Sequence, residues 1–107
     1  MKKMQLHKEL NLTKWEKVPK QAQIMNIGAE ISRAQNWQNL QDQEKVRECI
    51  ERAMELLDLT IQDKRWEDKL GDLMRIREAL GYFYSFESAP IISKIFLDWL
   101  TQFAQNN

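Results

Sequence analysis

Apolar side chains recur at helical spacing along most of this chain. Ile24, Ile27, Ile31 and Ala34 form a seam at i, i+3, i+7 and i+10, which predicts a helix from residue 19 to residue 37 or 40. Pro19 stands in the first turn, where its missing N–H is not needed. Gly28, Ala29 and Ser32 make a small-residue patch beside the seam. A helix glycine costs ~1 kcal/mol relative to alanine, so Gly28 is expected to admit close approach of another helix. A second stripe, Val46, Cys49, Ile50, Ala53, Leu56, Leu57, Thr60 and Ile61, predicts a helix over 42–61. Asp42 and Glu44 suit its positive end. After a polar break at 62–65, Trp66, Leu70, Leu73, Leu80 and Tyr84 predict a third helix ending at 81–84. Ser88-Ala89-Pro90 opens a fourth, with Ile92, Ile95, Phe96, Trp99 and Phe103 on one face. Residues 1–18 form a leader, in which Leu6 and Leu10 permit a short helix. No stretch alternates with the period of a strand. The expectation is all-α: an antiparallel four-helix bundle over 19–105 behind a short N-terminal leader.

Arg77 interrupts the third face. A guanidinium among Trp66, Leu73, Leu80 and Tyr84 needs a carboxylate, carbonyls, an aromatic face or a ligand, because an unpaired buried charge costs several kcal/mol. A carboxylate from another helix is predicted, Glu30 first and Asp58 second.

Composition narrows the function classes. The 107 residues are 43% hydrophobic and 30% charged, a globular balance large enough for one core. Three Gly and two Pro leave little for the turns of a β-sandwich. Sixteen basic residues against sixteen acidic ones supply no global field for nucleic acid. The charges are unevenly placed. Six lysines (Lys2, Lys3, Lys8, Lys14, Lys17, Lys20) crowd the first twenty residues, while Asp42, Glu44, Glu48, Glu51, Glu55 and Asp58 dominate 42–58. These read first as solvated surfaces, with mutual attraction within or between chains as the alternative. The N-terminus has no apolar run of the signal-peptide kind, and no apolar stretch reaches membrane length. Cys49 is alone, which suits a reducing cytoplasm.

His7 is the one histidine, so neither a zinc cage nor a Glu-x-x-His di-iron site can be assembled, and no cofactor-binding glycine loop occurs. No metal or cofactor is expected. The group inventory also speaks against hydrolysis. Cys49 points to the core, and Tyr82 and Tyr84 are phenols, a group that serves as a base only well above neutral pH. What remains is a polar cluster beside the seams, either binding or structural: Glu30, Arg33, Arg52, Glu55, Asp58, Arg75, Arg77, Glu78 and Tyr82. Ion pairs that fix helix register would use these residues. So would an anion or phosphate site around Arg77.

Several strings carry a resemblance. I-G-A-E-I-S-R-A at 27–34, preceded by Trp15 and Pro19, R-A-M-E-L-L-D-L-T at 52–60, and R-I-R-E at 75–78 resemble a group of small bacterial helical proteins. The likeness covers residues 15–84 and implies no activity. More broadly, Arg77 followed by Glu78 resembles the HEPN superfamily of nucleotide- or RNA-associated bundles, whose ribonucleases carry Arg, a polar neighbour and a histidine separated from the Arg by four to six residues. Tyr82 or Tyr84 stands at the histidine position here. That resemblance implies dimers and a nucleotidyltransferase-type protein partner. The missing histidine removes the group that could act as acid or base near neutral pH.

Two functions follow as expectations. The first is a non-catalytic interaction module, homodimeric, with Trp37, Leu59 and Leu97 as apolar residues left over from the seams. The alternative is a HEPN-like RNA- or nucleotide-binding protein or ribonuclease using Arg77, Glu78 and Tyr82. Nucleic acid could also meet the lysine-rich leader, with Trp15 stacking on a base.

Overall fold

The computed structural model describes residues 10–86 together with Lys94, Ile95, Trp99 and Phe103. The fold is an all-α bundle, and no strand occurs among the described residues. Its elements are α1 (Leu12–Trp15), α2 (Lys20–Asn39), α3 (Gln43–Ile61), a 3₁₀ segment (Lys64–Lys69) and α4 (Leu70–Phe86). The α3 helix is central, since α1, α2, the 3₁₀ segment and α4 all pack on it.

Local chemistry sets these boundaries. Asn11 caps α1 by accepting from Lys14 N, and Asp42 caps α3 by accepting from Lys45 N. At the end of α2, Gln41 takes a left-handed φ of 62°. Gln41 N donates to Gln38 O and Asp42 N to Trp37 O, so the freed carbonyls are answered in a Schellman turn. This tight reversal lays α3 antiparallel to α2.

The predicted α2 seam is correct: Ile24, Ile27, Ile31 and Ala34 are buried, as is the α3 stripe from Val46 to Thr60. Gly28 has the expected packing reason. A Cβ there would stand 2.9 Å from Trp99 Nε1, whose N–H donates to Ile24 O at 3.3 Å. Trp99 in turn meets Phe103, with ring centroids 4.5 Å apart, and Phe103 sets its edge against Trp66. Ile95, Trp99 and Phe103 are buried as predicted. Ile92, Phe96 and Leu97 lie outside the described residues, as do Leu6, His7 and the start of the fourth helix.

The third helix departs from expectation. Asp63 accepts from Arg65 N and turns the chain into a 3₁₀ segment. Trp66 has non-helical φ and ψ, so it does not continue the α4 face. The buried face of α4 is Leu73, Ile76, Leu80 and Phe83, whereas Leu70 is exposed. Arg77 therefore sits on the flank of the seam, with its side chain about one-third exposed. The leader is also less separate than expected, since Trp15 is 2% exposed and belongs to the core. That burial removes Trp15 as a stacking platform for a base.

Candidate functional site

The sequence-predicted polar cluster divides in two across α3. On the side facing α2, Arg52 Nε donates to Glu30 Oε1 at 3.1 Å, and Arg33 reaches the other Glu30 oxygen at 3.1 Å. On the side facing α4, Arg77 Nε donates to Asp58 Oδ1 at 2.8 Å, while its Nη1 lies 3.1 Å from Met54 Sδ. The partner of Arg77 is thus Asp58, not Glu30. Six residues separate Arg52 from Asp58, a rotation that sends them to opposite grooves.

Arg75 pairs with Asp72 in its own helix at 2.9 Å and is largely exposed. Glu55 is half-buried, and Glu78 and Tyr82 are exposed. Tyr82 lies five residues from Arg77, about 140° away around the helix, so the two do not form one site. Tyr84, at the longer spacing, shares the Arg77 side. Its hydroxyl donates to Glu51, and the Arg47 guanidinium stacks 4.2 Å from its ring centroid. The bond to Glu51 and burial push the Tyr84 phenol above its ordinary pKa, which opposes its use as a base. Cys49 is buried and its thiol is likewise pushed up by burial.

A third polar assembly escaped the sequence reading. The Gln23 amide donates to Trp15 O at 2.9 Å and to Asp63 Oδ2 at 3.1 Å, and its carbonyl accepts from Trp66 Nε1 at 2.7 Å. Trp15 Nε1 donates to Thr60 Oγ1, whose hydroxyl donates in turn to Leu56 O. Lys20 stands 4.4 Å over the Trp66 ring. The Arg65 guanidinium bonded to both oxygens of Asp63, joined by Gln23, holds the Asp63 carboxyl down at about 2 despite its burial. One signal could have exposed this network. Gln23 occupies a seam position four residues before Ile27, and a polar side chain there must have partners.

A cleft of about 380 Å³ opens between α1 and α2, lined by Leu10, Trp15, Val18, Asn26, Ala29, Glu30, Arg33 and Leu56. Its one deep charge, Glu30, is already held by two arginines. Among the described residues no three His, Cys, Asp or Glu side chains come together as metal ligands, and no helix is long and apolar enough to cross a membrane. Comparison with protein-family models, curated proteins and solved structures returns no match.

Proposed function

We propose that this chain is a non-catalytic protein-interaction module that works as a homodimer in the cytoplasm. The observation that carries the reading is the outer side of α4. Met74 and Tyr82 are exposed there, about 80° apart around the helix, and Leu70, also exposed, flanks the core side. The opposite side of the same helix already fills the core. A helix that packs once needs one apolar stripe, so the second is surplus to the monomer. The leftover residues expected from sequence do not carry this role, because Trp37 and Leu59 are half-buried against their own core and Leu97 lies outside the described residues. Met25 and Leu40 are exposed singly, which is ordinary for a protein surface.

The charged cluster supports a structural use. Arg77, Arg52 and Arg75 are each engaged by a carboxylate, which reduces their pull on a phosphate. The buried lone thiol fits a reducing compartment. Sedimentation equilibrium at high micromolar protein tests the dimer: twice the 12.8 kDa chain mass is expected, and the monomer mass would overturn it. Incubation with mixed RNA and nucleotides tests the rest. Turnover that is lost in Arg77→Ala would overturn the non-catalytic reading in favour of the HEPN-like one.

A further inference from the structure

Two helix glycines invite opposite explanations. Gly28 is required by its own molecule, because the Trp99 indole sits where a Cβ would be. Gly71 has nothing within 4 Å of that position, and its φ is not positive. Neither packing nor backbone conformation within the described residues calls for glycine there, in the first turn of α4.

Gly71 shares the outer side of α4 with three other residues. At 100° per residue, Gly71, Arg75, Glu78 and Tyr82 fall within a sector about 60° wide. Tyr82 is 55% exposed and Gly71 is exposed beneath open space. An aromatic ring and a bare stretch of helix backbone are the two halves of the packing that Trp99 and Gly28 make inside the molecule. Here they lie on one helix, ~16 Å apart along its axis. They cannot meet within one copy.

They can meet across a two-fold axis. The midpoint between Gly71 and Tyr82 falls between Ile76 and Arg77. The midpoint between Arg75 and Glu78 is the same point. A single axis crossing α4 there brings Tyr82 over the partner's glycine and, in the same act, opposes Arg75, whose guanidinium bonds Asp72 through one nitrogen only and is 73% exposed, to a partner glutamate. Such an isologous contact is closed and self-complementary. Met74 lies about 40° outside this sector and is covered at the edge of the contact.

Resting on the homodimer reading above, we infer that α4 packs antiparallel against α4 of a second copy, with Tyr82 seated over Gly71 of the partner subunit and Arg75 paired with Glu78 of the partner subunit. Charge reversal tests this. Arg75→Glu and Glu78→Arg each place like charges at both symmetry-related contacts and are expected to raise the dimer dissociation constant ~tenfold or more. An equimolar mixture of the two variants makes only opposite-charge contacts in the heterodimer and should recover to within ~threefold of the native constant. Gly71→Leu, which meets open space in the monomer, should keep native helicity by circular dichroism and lose the dimer. A native dimer insensitive to all three substitutions, or weakened variants that fail to rescue each other, would overturn this interface and leave the homodimer standing. A native monomer would overturn both.

Discussion

Around Gln23 the polar groups lie inside the protein and answer one another; along the α3–α4 seam they lie at its edge and face water. Gln23 is fully buried and Asp63 is 3% exposed, and no buried side-chain nitrogen or oxygen among the described residues lacks a partner. Asp58 is about half exposed and Arg77 about one-third. The chemical types are similar, but the energetics are not. A buried donor left without an acceptor bears its full desolvation cost, whereas an exposed ion pair gains little over its hydrated partners. The network joins α1, α2, α3 and the 3₁₀ segment through buried side chains that bond one another. The Arg77–Asp58 pair ties two helices that Leu73, Ile76, Leu80 and Phe83 already hold.

The sharpest break of this comparison comes from Gln23→Leu. It preserves approximate size but leaves Trp66 Nε1 and one Asp63 bond unanswered, and the expected loss is roughly 3 kcal/mol in urea denaturation. A loss under about 1 kcal/mol would mean that water replaces the amide and that the network does not pin this end.

Acid should act on the same end next. The Asp63 pKa is lowered in the folded protein, from 3.8 to about 2. Its contribution is therefore complete above pH ~4 and disappears as the pH falls through about 2, roughly 2 kcal/mol in all. Asp63→Asn should flatten that part of the stability–pH curve. An unchanged slope between pH 4 and pH 2 would contradict the assignment.

The smallest effect belongs to the seam. Arg77→Met is expected to cost ~1 kcal/mol or less, since the exposed Asp58 left behind can hydrate. The several-kcal/mol cost of a stranded buried charge does not apply at a half-exposed pair. If Arg77→Met proved as damaging as Gln23→Leu, the two regions would not differ in kind.

Sequence made α2 and α3 legible because their signals are local. Pro19, the Asp42 cap and the 3.6-residue seams all act within a turn or two. Periodicity misplaces the start of α4, because Trp66, Leu70 and Leu73 keep helical spacing although Asp63 caps a 3₁₀ turn ahead of them. Periodicity cannot separate those cases. Arg77 was legible as a residue needing a carboxylate, but its partner depends on which groove of α3 receives α4. Glu30 faces the other groove. Gln23 is hard to see in the sequence because its neighbours make a complete apolar seam without it, although a polar side chain at a seam position needs partners as Arg77 does.

In the proposed homodimer the outer side of α4 is covered by a second copy, while the network closes one end of each molecule. Hydroxyl-radical footprinting of the native protein across a dilution series tests it most directly. Met74 and Tyr82, exposed in the monomer, should gain protection as concentration rises, while Met25, 64% exposed on α2, stays equally labelled throughout. Labelling of Met74 and Tyr82 that does not change with concentration, or protection that appears at Met25 instead, would contradict the account.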